Sequence, residues 1–322
     1  MSKLRLILSC GNYDRTRALI DGTVQPEGIE VEVISPMSHK ERHTRMMRQL
    51  EFDVCELSTA QFLSAKTRGL PLTAVPAFPY RAFRHGYIFV NAQAGIDEPA
   101  DLIGKRVGAV LFINTAAMWV RGTLEDDYGV PAEQMIWITE APEEVPDWRP
   151  PQGLRLQRVA AGNSVEDLLL TGEIDAVIYP SVLPSIGNGD QRVRRLFPNY
   201  KSVEMDYFSR TGLYPIMHTV VIKDSVLKHN PWVAASVLNA FNRAKDLAYE
   251  HYRSQAPTML AWFDEAVAEQ AKVMGPDPWA YGIHANRHTV EKMVEYACRQ
   301  GLIESKPSIE GLFAPEAWEP GD

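Results

Sequence analysis

The sequence contains few cysteines, no excess of positive charge and no long apolar run. Its three cysteines, Cys10, Cys55 and Cys298, are too few and too widely spaced for a disulfide framework or a zinc cluster. Cys10 and Cys55 lie in apolar runs, which favours buried thiols. The formal net charge of −8 and the pI near 5.6 argue against non-specific binding to nucleic acid or to an anionic membrane. We expect neither as a partner.

The lack of long apolar runs also indicates where in the cell the protein is expected. No stretch approaches the ~18 apolar residues of a membrane-spanning helix. The apolar-rich run near the N-terminus spans about six residues, which is shorter than the ~7–15 residues of a secretory signal. We therefore expect a cytoplasmic protein. The 322 residues suffice for about two domains at ~100–200 residues each, and 45% hydrophobic against 23% charged residues is typical of globular proteins.

Two parts of the chain repeat the same order of elements about a hundred residues apart. Residues 5–10 and 106–111 each predict a strand followed by a turn and a helix, capped by Asp14 in the first copy and by Asn114 or Thr115 in the second. A second repeat, in residues 40–57 and 164–179, predicts a helix, a turn with the pattern Glu-apolar-Asp, and a strand. The repeats predict two α/β lobes of common design.

The lobes are predicted to be discontinuous. The β-rich runs 85–91 and 215–222 flank the second copy and are expected to cross between lobes. This assigns residues 1–92 and 210–322 to lobe 1 and residues 93–209 to lobe 2, with a ligand cleft between them. In open α/β sheets, ligands bind beyond the carboxyl ends of the strands. The residues expected in the cleft are Asn12, Tyr13, Asp14, Arg15, Glu56, Ser58, His85, Asn114, Thr115, Tyr179, Ser181 and His218.

Three features near this cleft suggest chemistry. Arg81, Arg84 and His85 lie within five residues, and guanidinium groups bind carboxylates through two parallel hydrogen bonds. The run therefore predicts an anion site, with a solvated surface loop as the alternative. The helix that opens at Asn114 offers amide groups to an anion, with plain capping as the alternative. His218 lies in an apolar run, where it is either an acid–base group or a core residue with satisfied hydrogen bonds.

No metal or cofactor is predicted. His39/His43 and His284/His288 have the i,i+4 spacing of metal ligands, but no third ligand is evident. The sequence contains no dinucleotide fingerprint, no phosphate loop and no Gly-x-Ser-x-Gly elbow.

A family resemblance rests on five segments: 10–16 (CGNYDRT), 51–54 (EFDV), 78–85 (FPYRAFRH), 101–108 (DLIGKRVG) and 210–222 (RTGLYPIMHTVVI). Together they resemble the 4,5-dihydroxyphthalate decarboxylase family, and the likeness runs from about residue 4 to residue 302. The resemblance implies a two-lobed fold of the type 2 periplasmic-binding-protein class, used as an enzyme. It also implies cofactor-independent decarboxylation of a hydroxylated aromatic acid, 4,5-dihydroxyphthalate to 3,4-dihydroxybenzoate and carbon dioxide.

Such a substrate suggests roles for the cleft residues. His218 is expected to protonate the carboxylated ring carbon, with His85 as the alternative acid. Glu56, with Asp14 in reserve, is expected to polarise the ring hydroxyl. The carboxylates are assigned to Arg81 and Arg84. The further substrate-binding residues expected are Arg15, Ser58, Asn114, Thr115 and Tyr179.

Two other functions stay open at this point. One is a non-catalytic binding protein for an aromatic or dicarboxylic acid. The other is a relative of the enzymes of thiamine-pyrimidine synthesis, which no histidine-rich or cysteine-rich segment supports. In each case the expected partner is a small molecule, an aromatic carboxylate in the main interpretation, and a homo-oligomer is left open.

Overall fold

The computed structural model describes residues 3–160, 162–254 and 258–318. In chain order the strands are β1 (Leu4–Ser9), β2 (Ile29–Ile34), β3 (Val54–Ser58), β4 (Leu72–Arg81), β5 (Ile88–Asn91), β6 (Arg106–Ala109), β7 (Ile136–Thr139), β8 (Arg155–Arg158), β9 (Ala176–Ile178), β10 (Val193–Arg195) and β11 (Ile216–Lys223). The α-helices are α1 (Asp14–Ile20), α2 (His39–Gln49), α3 (Thr59–Lys66), α4 (Thr115–Tyr128), α5 (Val165–Thr171), α6 (Pro184–Gly187), α7 (Tyr200–Thr211), α8 (Asp224–His229), α9 (Val233–Arg253), α10 (Phe263–Met274) and α11 (Arg287–Arg299). Short 3-10 helices lie at His85–Tyr87, Pro99–Leu102, Ala132–Gln134, His284–Asn286 and Pro315–Ala317.

The chain forms two compact units, each with its own mixed sheet. Unit 1 consists of the described parts of Met1–Arg81, Ile216–Glu291 and Pro307–Asp322. Its sheet has the strand order β2-β1-β3-β11-β4, in which β1 runs parallel to β2 and β3 and β11 runs antiparallel to β3 and β4. The longest helix, α9, packs against α1 and β4 of this unit. No helix in the described ranges is long and apolar enough to cross a bilayer.

Unit 2 consists of the described parts of Ala82–Pro215 and Lys292–Lys306. Its sheet has the order β10-β5-β9-β6-β7-β8. The strands β9, β6, β7 and β8 run parallel to one another, whereas β5 runs antiparallel to both of its neighbours, β9 and β10. Phe89, Val165, Leu169 and Val177 are buried at the centre of its core.

The repeated Glu-apolar-Asp segment has the same structural role in each unit. In unit 1 the carboxylate of Asp53 accepts a hydrogen bond from the backbone N–H of Ile7 in β1 at 3.0 Å. In unit 2 the carboxylate of Asp175 accepts one from the backbone N–H of Arg106 at the start of β6, at 2.8 Å. Each aspartate therefore fixes a neighbouring strand, which explains why the repeat is visible in the sequence.

The units begin and end at other residues than the predicted lobes. The chain leaves unit 1 after Arg81 and returns at Ile216, whereas the sequence predicted boundaries at residues 92 and 210. Residues 82–92 belong to unit 2 because β5 pairs with β9 and β10. The predicted strand at 85–91 starts only at Ile88, since the residues before it form a 3-10 turn. Which sheet a strand joins depends on its pairing partners, and its own sequence does not encode them.

Gly122 allows helices α4 and α11 to approach each other closely. A Cβ at this position of α4 would lie 2.3 Å from the ring of Tyr296 in α11. We expect Gly122→Ala to lower the free energy of unfolding by about 1–3 kcal/mol, because overpacking outweighs the greater helix propensity of alanine. Urea denaturation measures this change.

The matched control is Gly187→Ala in α6, where a Cβ would meet no atom within 4 Å. This variant should unfold within about 0.5 kcal/mol of the parent. A Gly122→Ala protein as stable as the control would contradict the packing of α4 against α11.

Candidate active site

A fully buried glutamate lies in the middle of β3 in unit 1. Glu56 is 0% exposed, yet four donors surround its carboxylate. Its Oε2 accepts from the backbone N–H of Gly11 at 2.6 Å and from Arg42 Nη1 at 3.2 Å. Its Oε1 accepts from the hydroxyl of Tyr13 at 2.7 Å and lies 2.5 Å from Nδ1 of His218. Every lone-pair direction of the carboxylate therefore has a donor within the protein.

These contacts determine the charge of the glutamate. Burial on its own would raise the pKa of Glu56, but the hydrogen bond from His218 and the charges of His218 and Arg42 hold it well below its usual value. Glu56 is therefore an anion at neutral pH. The contact with His218 then requires a proton on Nδ1, so proton exchange with a bound molecule falls to Nε2 of that ring.

Strand pairing brings His218 and Glu56 together. In β11, His218 lies opposite Ser58 of β3 on one side and opposite Tyr80 of β4 on the other. The register between β4 and β11 shifts on both sides of His218. Irregular pairing of this kind redirects side chains and occurs often beside active sites.

Helix α2 contributes two more imidazoles and the buried arginine. Ser38 caps the helix by accepting from the backbone N–H of Glu41 at 3.1 Å. His39, Arg42 and His43 follow at positions i, i+3 and i+4 and therefore share one face. The His43 ring is buried, and its centroid lies 4.8 Å from that of His218. Burial, followed by the charge of His218, holds the pKa of His43 well below its usual value, so this ring stays neutral.

Aromatic rings form the less buried side of this cluster. The ring centroids of His39, Tyr80 and His218 lie 4.9–5.4 Å from one another. Tyr13 stacks on Tyr80 with centroids 5.9 Å apart, and its hydroxyl lies 2.9 Å from Nε2 of His39. We call Tyr13, His39, Tyr80, Glu56 and His218 the imidazole cluster.

Arg15, beside the cluster, is held by aromatic rings. Its guanidinium carbon lies 4.4 Å from the ring centroid of Tyr13 and 3.8 Å from that of Trp279. Arg15 Nε donates to the carbonyl of Pro79 at 2.6 Å, and Nη1 donates to Asp14 at 2.9 Å. Burial favours a raised pKa for Asp14, but its bonds to Tyr252 and Arg15 lower it overall. Asp14 is therefore an ionised partner of Arg15.

The other predicted residues of unit 1 have structural partners. Arg81 is buried, and its guanidinium donates to the Ala280 carbonyl at 3.1 Å and to the side chain of Asn286. Ser58, also buried, is the last residue of β3.

Unit 2 contains the other five residues that were assigned a catalytic or substrate-binding role. His85 is buried beside the rings of Phe197 and Tyr207, at centroid distances of 5.4 and 5.3 Å. Burial, partly offset by Asp127, lowers the pKa of His85 to about 4, which works against the predicted role as an acid at neutral pH. The adjoining cavity of about 10 Å³ has room for one water. Arg84 donates to the Pro180 carbonyl at 2.9 Å.

The helix start in unit 2 is capped by its own chain. The side-chain oxygen of Asn114 accepts from the backbone N–H of Ala116 at 2.8 Å and of Ala117 at 3.4 Å. Thr115 is buried at the first position of α4. Tyr179 follows β9 and is half-buried, which raises the pKa of its hydroxyl. In this structure the side chain of Asn114 therefore acts as the N-terminal cap of α4.

Among the residues that the structure describes, one group has ligand atoms close enough for a metal ion. Single ligand atoms of His39, Glu56 and His218 lie within 4.8 Å of one another. An ion there would displace hydrogen bonds that now hold the carboxylate and would lie beside the Arg42 guanidinium. Both effects oppose cation binding.

The cysteines do not provide a nucleophile in this cluster. Cys10 and Cys55 are buried, as the apolar runs predicted. Burial raises the pKa of both thiols, with the Glu56 charge adding to the effect, so neither forms a thiolate at neutral pH.

Only part of this cluster is predictable from the sequence. Glu56 and His218 were expected to have catalytic roles and Tyr13 to lie in the cleft, whereas the spacing of His39 and His43 suggested only metal ligands. The available signal was their spacing with Arg42 on a helix that leads into the Glu-apolar-Asp turn. That turn packs α2 beside β3, and with it the imidazoles beside Glu56.

Comparisons with known proteins identify the family of this chain. The chain aligns over 327 positions, gaps included, with a 4,5-dihydroxyphthalate decarboxylase of Comamonas testosteroni. The two are 34% identical, and the alignment covers 99% of both chains. A 4,5-dihydroxyphthalate decarboxylase of Pseudomonas putida is 33% identical over 214 residues, covering 65% of this chain and 83% of the relative. The family model described as "NMT1/THI5 like" matches residues 21–139.

Solved structures define the fold. The periplasmic aliphatic sulphonate binding protein SsuA of Escherichia coli has a TM-score of 0.57 at 13% identity, with 98% of each chain covered. At this identity the likeness concerns the fold alone, and it confirms the predicted α/β architecture with two lobes. The full-length match to the Comamonas testosteroni enzyme shows that the chain belongs to the 4,5-dihydroxyphthalate decarboxylase family and is a decarboxylase with the fold of periplasmic binding proteins.

Proposed function

We propose that this chain removes one carboxyl group from 4,5-dihydroxyphthalate to give 3,4-dihydroxybenzoate and carbon dioxide. The observation that carries the proposal is the 2.5 Å contact between Nδ1 of His218 and the buried, ionised Glu56. A carboxylate in this position orients an imidazole and stabilises its protonated form. The family membership gives the substrate class, and the pair supplies a suitable acid.

The reaction needs one proton at carbon. Each carboxylate of the substrate lies para to a hydroxyl. As the O–H bond of that hydroxyl weakens, the oxygen donates electron density through the ring to the carbon that carries the carboxylate. Nε2–H of the His218 imidazolium protonates that carbon, the bond to the carboxylate breaks, and aromaticity returns as carbon dioxide leaves. One proton is consumed, and His218 regains it from solvent. Positioned proton transfer contributes ~10²–10⁴-fold to a rate.

In this proposal Glu56 acts through His218 instead of binding the substrate hydroxyl. Its four donors enclose the carboxylate, so it cannot reach a ligand without losing them. Asp14, paired with Arg15, is likewise not assigned to the hydroxyl.

Binding of the substrate is proposed to use the half-exposed rings and the nearby cation. Tyr80 and His39 provide aromatic walls beside His218, and Arg15 provides a guanidinium held between two rings. Arg81 and Arg84 stay predictions as carboxylate ligands, as do Ser58, Asn114, Thr115 and Tyr179 as binding residues.

Carbon dioxide release from purified protein tests the proposal. We expect release from 4,5-dihydroxyphthalate and none from unsubstituted phthalate, which lacks the para hydroxyl that supplies electrons. Binding of 4,5-dihydroxyphthalate in a calorimeter without any release would support the non-catalytic binding protein instead. The cytoplasmic location also stays a prediction, which fractionation of cells would examine.

A further inference from the structure

The hydrogen bonds of the imidazole cluster determine which ring nitrogens carry protons. Tyr13 has one hydroxyl proton and two neighbours, Glu56 Oε1 at 2.7 Å and His39 Nε2 at 2.9 Å. Because Glu56 is an anion, the hydroxyl donates to it. The oxygen of Tyr13 then accepts from Nε2–H of His39. The proton of His39 therefore lies on Nε2, whereas that of neutral His218 lies on Nδ1.

Both imidazoles thus depend on one carboxylate. His218 donates to it directly, and His39 donates to it through the hydroxyl of Tyr13. The two ring centroids are 4.9 Å apart, so two positive charges there would repel each other strongly. Because the rings share one carboxylate and would repel each other as two cations, the arrangement favours one imidazolium beside one neutral imidazole. Such a pair supplies an acid and a base at the same pH.

Charged and titratable groups among the described residues around His39 also enter the charge balance of the pair. The Arg42 guanidinium is fixed on Glu56, and His43 is kept neutral by burial. The titratable and charged groups that face the pair are Tyr13 from the turn before α1, Arg42 and His43 from α2, Glu56 from β3 and Tyr80 from β4. Arg42 and Glu56 cancel in charge, as do Arg15 and Asp14 beside the cluster, so one imidazolium leaves a net charge of +1, which suits an anionic substrate.

We propose that His39 is the second acid–base group of the site, resting on the proposed function. It accepts the proton of the substrate hydroxyl para to the departing carboxylate while His218 protonates the ring carbon. After carbon dioxide leaves, His39 returns its proton to the product oxygen. The net consumption of one proton, supplied through His218, is unchanged.

His39→Gln tests the role, because glutamine still donates to the oxygen of Tyr13 but cannot take up a proton. We expect kcat on 4,5-dihydroxyphthalate to fall by ~10²–10⁴-fold with little change in KM. The acidic limb of the pH profile, which reports the base, should disappear while the basic limb stays. A KM effect alone, or an unchanged profile, would overturn the proposal. His229→Gln on the exposed end of α8 is the matched control and should keep wild-type activity.

A second readout does not depend on turnover. The imidazole resonances of the ligand-free protein can be titrated by NMR in wild type, His39→Gln and Tyr13→Phe. We expect the titration of His218 to move in both variants, because each removes the group that shares its carboxylate. Unchanged titration would overturn the pairing of the two rings. If wild type releases no carbon dioxide but the titrations are coupled, the proposed function fails and the pairing of the two rings stands. If wild type releases carbon dioxide and His39→Gln releases it at the same rate, only the role of His39 as a base fails.

Discussion

Replacing His218 by asparagine should lower kcat for decarboxylation by ~10²–10⁴-fold and leave KM within a few-fold of wild type. Asparagine places an amide nitrogen near the position of Nδ1 and can still donate to Glu56. It has no counterpart to Nε2 and cannot carry a proton to the ring carbon. The change therefore removes the proton transfer and preserves the hydrogen bond behind it. Steady-state kinetics with carbon dioxide detection measures both constants.

The control for this variant is His229→Asn, which changes an exposed imidazole in the same unit. It should retain the wild-type rate. A His218→Asn protein that keeps the wild-type kcat would contradict the role of His218 as the acid. A large rise in KM at constant kcat would assign His218 to substrate binding instead. Circular dichroism of both variants separates either result from a loss of fold.

The parts of this site that were predictable are those determined by the local sequence of strands, turns and helices along the chain. The repeated strand–turn–helix and Glu-apolar-Asp segments were visible because each aspartate bonds to the neighbouring strand within a short, repeated unit. For the same reason Glu56 and His218 were recognised: each lies on a strand whose position in the order was predictable. Their direct contact was not, because it depends on the register between β11 and β3, which are separated by about 160 residues.

The unit boundaries and the second imidazole required tertiary information. The strand that follows His85 joins unit 2 through pairing with β9 and β10, and no local pattern specifies that choice. His39 has an ordinary place on an amphipathic helix, and its chemistry arises only where the hydroxyl of Tyr13 bridges it to a buried carboxylate. The partners of Arg81 were likewise not predictable, because the Ala280 carbonyl and Asn286 lie about 200 residues away along the chain.

Glu56→Gln should lower kcat by about 10⁴-fold, the size of the loss when the aspartate of a serine-protease triad becomes an amide. Gly11 and Arg42 need an acceptor on one side of the side chain, so the glutamine oxygen lies there and its NH2 group faces Tyr13 and His218. His218 must then accept at Nδ1, which gives the wrong tautomer and removes the charge that stabilises its imidazolium. Glu32→Gln, an exposed change on β2 of the same sheet, should leave the rate unchanged.

The same substitution should lower the free energy of unfolding by ~3–5 kcal/mol at neutral pH, because Arg42 keeps a buried charge without its partner. The pKa of Glu56 is lowered in the folded protein, so its stabilising effect is present above its ordinary value of 4.5 and is lost as the pH falls toward the folded value. The stability difference between wild type and Glu56→Gln should therefore shrink as the pH falls from neutral to below about 4.5. Urea titrations across this range measure it. A difference that grows in acid would mean that Glu56 is protonated in the native state, and the oriented imidazolium of the proposed mechanism would lose its counter-charge.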